Sequence, residues 1–394
     1  MVDNIDLNEP ENLLSDAVCT WLSEKRIKII ISGHVDENDI VDIEKGIRPR
    51  SDIFEFERRF GAKFYDFNWL KRRLSEKNKV TSWINSKISN LSILSAIEVY
   101  KVAKDDDLIY ATNEDVGLPL AALLRLGRRK RPFLLLRIEN FSYGRNALYR
   151  FIHKWFMQFS VRRIDLFFCR SPKHIAILEE KYGVPRHKVI LAPEPVDIAY
   201  FDKENRPDTV VDVAIPDAPF ILSAGLEMRD YETLLAAVAG LPIQIIIGAG
   251  SPWSHFRFTP DEQQNTNNVT VDSFTRLQMR ELYRAARLVV VPVKPTIRTC
   301  GISVILEALA MERPVIASRT QGLEGYYMED GETGCLVPPG NSEMLRKEIV
   351  RLLSNSAEIE QLAHAGHEKV VSQFYLDKYV DTVGTAAARL LGIV

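Results

Sequence analysis

A carboxylate, a turn of small residues and a few nearby cations carry most of the chemistry legible in this chain. Residues 299–339 read TCGISVILEALAMERPVIASRTQGLEGYYMEDGETGCLVPP, and the apolar run LVVVPV leads into them. The pattern is strand, small-residue turn at Cys300-Gly301, helix bearing Glu307, second strand PVIAS, then a loop punctuated by glycine. A strand, a glycine-bearing turn and a helix start aim backbone N–H groups at an anion. The amides of Cys300, Gly301, Ile302 and Ser303 suit a diphosphate, helped by the helix dipole. Ser303 also suits a simple helix cap, and both readings need the helix to begin here. Glu307 is placed to reach a ribose hydroxyl, against the ordinary alternative of a solvated helix glutamate. Taken together these residues describe a nucleotide-diphosphate site at the carboxyl end of a parallel sheet.

Arg229 is the one cation in GLEMRDYE, just after Gly225 and the strand-like run 220–224. With Lys294 and Arg298 it offers positive charge to a departing diphosphate. The plainer alternative is a solvated arginine beside Glu227 and Asp230. Asp272-Ser273-Phe274 falls between a strand and a helix, where Ser273 and Phe274 could seat a base; Phe274 as a core residue is the competing reading. His34, and the run Asn113-Glu114-Asp115, follow strands on their carboxyl side, where α/β proteins bind ligands.

Something must hold these residues in place, and the pattern of the chain says what. Short apolar runs at 26–32, 108–111, 133–138, 166–170 and 189–192 read as buried strands, with helical patterns at 118–126, 147–161 and 173–182 between them. A polar stretch at 202–212 reads as a linker. A second alternation follows, with strands at 220–224, 243–248, 269–271, 288–292 and 314–317 and helices at 231–239, 277–286, 302–311 and 342–353. Strands alternating with helices twice over predict two doubly wound α/β domains. The length of 394 residues suits two domains, and 46% hydrophobic with 26% charged residues describes a globular chain. A net charge of -2 gives no general pull on nucleic acid. Cys19, Cys169, Cys300 and Cys335 have no metal-ligand spacing, and the apolar settings of Cys169 and Cys335 suit reduced core thiols.

At Glu307-Ala308-Leu309-Ala310, Arg313-Pro314-Val315-Ile316-Ala317 and Asp330-Gly331-Glu332-Thr333-Gly334-Cys335-Leu336-Val337 the chain resembles the retaining GT-B glycosyltransferases of the family 4 type, the glycosyl transferases group 1. The likeness extends to IDLFFCRSPKHIAILEEKYGVPRHKVILAPEPVDIAYF (164–201) and FILSAGLEMRDYETLL (220–235), and covers roughly residues 100–394. It implies a GT-B fold, two Rossmann-like domains facing a central cleft, with residues 1–203 binding the acceptor, 204–375 the donor, and 376–394 a helix returning to the first domain. It implies that Glu307 binds ribose and that an arginine and a lysine of the loop after 224 clasp the diphosphate, a loop in which Arg229 is the one cation present. The chain departs from the family in three places. Thr299 stands where the first glutamate is usual, eight positions before Glu307, which leaves that side of the sugar pocket less negative. Leu226 replaces an arginine. The segment Arg137-Ile138-Glu139-Asn140-Phe141 lacks the usual histidine, and Glu139 is the substitute candidate.

The resemblance implies sugar transfer from a nucleotide-sugar donor to an acceptor hydroxyl of a glycan, glycolipid or small molecule, with retention and no essential metal or cofactor. Two alternatives stay open: a GT-B-like sugar-nucleotide epimerase, and a catalytically weak binding subunit. Residues 149–161, YRFIHKWFMQFSV, are aromatic and amphipathic with Arg150, Lys154, Arg162 and Arg163 as basic partners. Such a helix suits a membrane surface, and equally suits core packing. No signal pattern or membrane-spanning run stands out, so the expected location is cytoplasmic, with peripheral contact on the cytosolic face of a membrane as an option.

Overall fold

The computed structural model describes residues 14–36, 38–75, 91–104, 106–139, 147–206, 211–249, 268–296 and 298–393, apart from the side chains of 147–150 and 153. Asn140 and Phe141, and the aromatic and basic side chains of Tyr149, Arg150 and His153, therefore lie outside the described residues. Ten of the twelve described strands fall where the apolar runs predict them, all but Lys63–Tyr65 and Cys335–Val337. In the first sheet they are β1 (Ile27–Ile30), β2 (Lys63–Tyr65), β3 (Leu108–Ala111), β4 (Phe133–Ile138), β5 (Leu166–Cys169) and β6 (Val189–Leu191). Their order is β2-β1-β3-β4-β5-β6, all parallel. In the second they are β7 (Phe220–Ala224), β8 (Gln244–Gly248), β9 (Val269–Asp272), β10 (Leu288–Val291), β11 (Val315–Ser318) and β12 (Cys335–Val337). Their order is β12-β11-β10-β7-β8-β9, again all parallel.

Both sheets thus start in the middle and wind outwards in two directions. The direction reverses between β1 and β3 in the first sheet and between β7 and β10 in the second. Loops leaving the carboxyl ends of such a strand pair diverge to opposite faces and leave a crevice, the usual ligand position in this class. The central strands are buried on both faces: every residue of β3, β7, β10 and β11 is buried, as is every residue of the edge strand β12. That explains runs such as LIYA and LVVV, which do not alternate.

By compactness the chain forms two units. The first comprises Met1–Ile40, Ser51–Pro193 and Asp377–Val394; the second comprises Val41–Arg50 and Glu194–Leu376. The short piece Val41–Arg50 belongs to the second because Arg50 and Asp197 are paired, Nη2 to Oδ1 at 3.0 Å, and Tyr200 donates to the Ile47 carbonyl at 3.0 Å. The helix Leu376–Leu391 lies mostly in the first unit, where the Tyr379 and Tyr110 hydroxyls meet at 2.6 Å and Arg59 pairs with Asp381 at 2.6 Å.

Three elements depart from the sequence expectation, each for a local reason. β2 is three residues long with one buried side chain, so no run announces it. β12 is part of the DGETGCLV turn and reads as loop until Ile316 and Cys335 pair. The helix expected from 118 begins at Glu114, with Asn113 in its cap position and Pro119 inside it. Proline within a helix removes one backbone bond, here in its second turn. Glu114 and Asp115 are therefore first-turn helix residues rather than loop residues.

Candidate functional site

The second unit brings most of the expected donor-side residues to the crevice between β7 and β10. The chain leaves β7 through Gly225, whose φ of 92° is a left-handed conformation that favours glycine. The following loop is tied to the one leaving β10: Lys294 N–H donates to the Met228 carbonyl at 2.9 Å and Asp230 N–H to the Pro292 carbonyl at 3.0 Å. Val293 N–H donates to Ser318 Oγ at 2.8 Å, which fixes the same loop to the end of β11. Three neighbouring strands thus hold one strip of backbone.

Arg229 is the centre of this arrangement. Its Nε donates to the Ala224 carbonyl at 2.7 Å and its Nη1 to the Glu227 carbonyl at 3.1 Å. A Cβ on Gly225 would lie 2.5 Å from Nη2, and one on Gly301 would lie 3.4 Å from Nη1. The guanidinium therefore lies between two glycine turns, and both glycines give it room. Gly301, with φ of 90°, is the residue before the helix Ile302–Ala310, so the cation sits at the amino end of that helix. Burial is the largest influence on Arg229 and lowers its pKa, although arginine remains a cation throughout the useful range. A side chain anchored by two carbonyls at the positive end of a helix is held ready for an anion.

Glu307 lies two turns along the same helix and is not a solvated glutamate. Its Oε2 accepts from the Tyr283 hydroxyl at 2.9 Å, and its Oε1 lies 3.7 Å from Arg276 Nη1. Burial raises its pKa, and Arg276, Tyr283 and Arg229 work against that rise. Arg276 and Tyr283 come from the helix Arg276–Ala285 and were not singled out from sequence. The available signal was the capping box of Thr275 and Gln278, which fixes Arg276 in the first turn of that helix.

The remaining donor-side residues are distributed around this core. Arg298 pairs with Glu227 at 2.5 Å, and Lys294 is exposed. Thr299 packs its methyl beside Gly322, where an added Cβ would lie 3.1 Å away, so it faces the loop after β11. Burial raises the pKa of Cys300, with Arg298 opposing. The exposed Ser303 donates to Glu194 at 3.3 Å. Ser273 is exposed at the end of β9, while Phe274 is half-buried against the core, its ring 3.6 Å from where Gly248 would carry a Cβ.

In the first unit the expected residues separate into two groups. His34 shares a hydrogen bond of 2.8 Å with Asn68 and meets Phe67 edge-on. Glu139 and Glu114 come together, Glu139 N–H donating to Glu114 Oε1 at 3.0 Å. The Glu139 carboxylate lies 2.6 Å from Arg137 and 2.7 Å from Arg170, and Arg137 also pairs with Asp52 at 2.5 Å. Burial pushes the Glu139 pKa up, but Arg170 and Arg137 together hold it below the ordinary value. Asn113 accepts from Thr112 at 3.3 Å. Asp115 accepts from Ser92 at 2.6 Å and from Ser32 in the β1–β3 crevice.

His174 stands beside this ionic cluster, and its burial, partly offset by Glu139, takes its pKa down from 6.5 to about 4. Such a histidine is neutral in the fold and charges in the unfolded chain. Its contribution to stability is complete above 6.5 and is lost as pH falls from there toward 4. The loss amounts to about 3 kcal/mol at most. Urea midpoints measured across this range should decline for the wild type and much less for His174→Gln. Equal slopes would show that the acid sensitivity lies elsewhere.

Among the described residues no group of three His, Cys, Asp or Glu side chains is arranged to hold a metal ion, and no helix is long and apolar enough to cross a membrane. Cys169 and Cys335 are buried free thiols. Residues 230–355 match the family model described as Glycosyl transferases group 1. The lipopolysaccharide core biosynthesis glycosyltransferase LpsE of Rhizobium meliloti (strain 1021) is 28% identical over 176 residues, 42% of this chain and 48% of LpsE. The chain thus spans about half the length of that relative. Among solved structures, a glycosyltransferase from Rickettsia africae ESF-5 matches with a TM-score of 0.62 and 14% identity, over 94% of this chain and 99% of that one. Anabaena Alr3699/HepE in complex with UDP-glucose matches with a TM-score of 0.60 and 16% identity, over 93% and 99% respectively. The fold of the two sheets is that of GT-B proteins.

Proposed function

We propose, for a GT-B chain whose residues 230–355 resemble the glycosyl transferases group 1, that the protein is a glycosyltransferase. It moves a sugar from a nucleotide-sugar donor to an acceptor hydroxyl with retention at the anomeric carbon. The observation that carries this reading is the position of Arg229, at the amino end of the helix Ile302–Ala310, with the half-buried Glu307 carboxylate two turns along. In this reading the diphosphate rests on the amides of 300–303 and against Arg229. Glu307 accepts from the ribose hydroxyls, held by Tyr283. Phe274 offers an apolar face to the base, and Gly225 lets the backbone approach. The bond from the anomeric carbon to the diphosphate oxygen breaks and its electron pair leaves on the diphosphate. Arg229 and the helix end stabilise that charge, with Lys294 and Arg298 nearby. A new bond joins the anomeric carbon to the acceptor oxygen, whose proton passes to the departing diphosphate oxygen. No metal ion or other cofactor enters the scheme.

The UDP-glucose bound by HepE supports a uridine nucleotide as the first donor to try. LpsE, named for lipopolysaccharide core biosynthesis, supports a glycan or lipid-linked acceptor met at the cytosolic face of a membrane. Thr299 leaves room for a donor sugar that needs no carboxylate at that point. On the acceptor side, Glu114 is taken up by the Glu139 backbone and Glu139 by Arg137 and Arg170, which leaves His34 and Asn113 of the β1–β3 crevice to meet an acceptor.

The test is nucleotide affinity. Glu307→Ala should weaken UDP binding by the worth of a charge-assisted bond, about 1.5–3 kcal/mol, with the folded state intact. Because the carboxylate form is needed, wild-type affinity should also fall as pH drops through the raised Glu307 pKa. Isothermal titration of wild type and variant decides it, and equal affinities would remove Glu307 from the site. Products incubated with a donor panel separate the alternatives. Free nucleotide with a glycosylated product marks a transferase, and a changed sugar still bearing its nucleotide marks an epimerase. Binding without turnover marks a degenerate module.

A further inference from the structure

The helix Ala147–Ser160 of the first unit turns three large apolar side chains outwards. Phe151 is 71% exposed, Trp155 61% and Ile152 55%. Leu126, at the end of the helix Glu114–Leu126, is 69% exposed. The two helices are joined: the Arg125 guanidinium lies 4.2 Å over the Phe159 ring and Nη1 donates to the Phe159 carbonyl at 2.5 Å. Trp155 stacks on Phe159 with ring centres 5.7 Å apart. Core packing explains Met157 and half-buried Phe156 on the other face, but it does not explain these rings. Single exposed apolar residues are ordinary, whereas a cluster of two aromatics and two aliphatics facing water calls for an occupant.

Charge says which occupant. Leu126 is followed by Arg128, Arg129, Lys130 and Arg131, and the aromatic helix is followed by Arg162 and Arg163. Arg163 ties the two stretches together, its Nε and Nη2 donating to the carbonyls of Arg129 and Lys130 at 2.9 and 3.1 Å. Arg128, Lys130, Lys154 and Arg162 are exposed, and none makes an ion pair among the described residues. Between Asp115 and Asp165 the sequence holds one acidic residue, Glu139, and its carboxylate is already committed to two arginines. Exposed rings bordered by unpaired cations, on a stretch of chain with no uncommitted carboxylate, match a surface that is apolar below and anionic above.

We propose that this face of the first unit docks on an anionic lipid bilayer, with Phe151, Ile152, Trp155 and Leu126 entering the headgroup boundary. Arg128, Lys130 and Arg162 meet the lipid phosphates. The helix lies in the interface and does not span it. The inference rests on the transferase reading only in supplying a reason for the contact, namely delivery of sugar to an acceptor held at that surface. The rings give depth and the cations give selectivity for negative headgroups, so the two contributions separate by experiment.

The experiment is vesicle flotation of the full chain with phosphatidylcholine alone and with phosphatidylcholine mixed with phosphatidylglycerol. Wild type should float with the mixed vesicles, weakly with phosphatidylcholine, and less as salt is raised. Phe151→Ser with Trp155→Ser should lower partitioning by about tenfold for each ring removed. Arg128→Gln with Lys130→Gln should lower it by about fivefold per charge on mixed vesicles and leave phosphatidylcholine binding unchanged. All seven residues named as entering or flanking are exposed, so the variants should keep wild-type UDP affinity, and that measurement guards against misfolding. Equal flotation of wild type and both variants, or none with any vesicle, would overturn the proposal. So would a dimer in sedimentation that dissolves on Trp155→Ser while vesicles are ignored, because the occupant would then be a second copy. Loss of UDP binding in the wild type would instead count against the transferase reading and leave the docking result standing.

Discussion

Arg229→Ala should reduce kcat by about 10²–10³-fold, the range seen when one group stabilising developing negative charge is removed. The reason is geometric. Two carbonyls, of Ala224 and Glu227, hold the guanidinium, and two glycine turns make room for it beside the first turn of a helix. A group already fixed where charge will appear needs no reorganisation in the transition state. Its contact with the diphosphate should strengthen as the sugar–oxygen bond breaks, so turnover should suffer more than nucleotide affinity. Arg229→Lys is the informative companion. It keeps the charge but cannot span two carbonyls and a diphosphate at once, and should recover only part of the rate. Measurement at saturating donor, with UDP affinity measured in parallel, separates the effects. A kcat unchanged in Arg229→Ala would remove the residue from the chemistry.

Glu139→Ala should destabilise the first unit by about 3–5 kcal/mol, the cost of breaking a buried ion pair from one side. Two arginines depend on this carboxylate, Arg137 at 2.6 Å and Arg170 at 2.7 Å. Arg170 is largely buried and has little access to water as a replacement. Arg137 would keep Asp52. Acid should act in the same direction. The folded pKa of Glu139 is lowered, so its stabilisation is present above the unfolded value and is lost as pH falls through the folded one. Urea unfolding at neutral pH supplies the number. An unchanged midpoint together with lost turnover would reverse the assignment and make Glu139 a reacting group, as its place after β4 suggests from sequence.

That contrast shows where sequence reading reaches its limit. Both sheets could be read from apolar runs because a strand buried on two faces has few other compositions open to it. Gly225, Gly301 and Glu307 could be read because a turn, a helix start and a carboxylate lie close together along the chain. Glu139 could not be understood that way. Its partners Arg137 and Arg170 come from β4 and from the residue just past β5, and are brought together by the β4–β5 register, in which Ile138 faces Cys169. Arg276 and Tyr283 escaped for the same reason: they reach Glu307 from a helix that precedes it in the chain, across the packing of two helices. The helix expected from 118 starts four residues earlier, at Glu114, because a proline at 119 is accommodated inside its second turn. Spacing exposes chemistry within one element and its adjoining turns. Partners supplied by packing appear only in three dimensions.

The first unit takes in residues from both sides of the second, and this sets an order of events during synthesis. Its core includes Tyr379, Val380 and Val383, and Tyr110 near the middle of its sheet finds its hydroxyl partner in Tyr379. None of these can be reached until residues 194–376 have left the ribosome. Domains made first ordinarily close first. Here the unit that begins emerging earliest stays open at the Tyr110 and Arg59 positions while its neighbour, needing only Val41–Arg50 from earlier in the chain, has all its parts. A nascent chain paused near residue 376 should therefore carry a protease-resistant second unit and a first unit still open to cleavage.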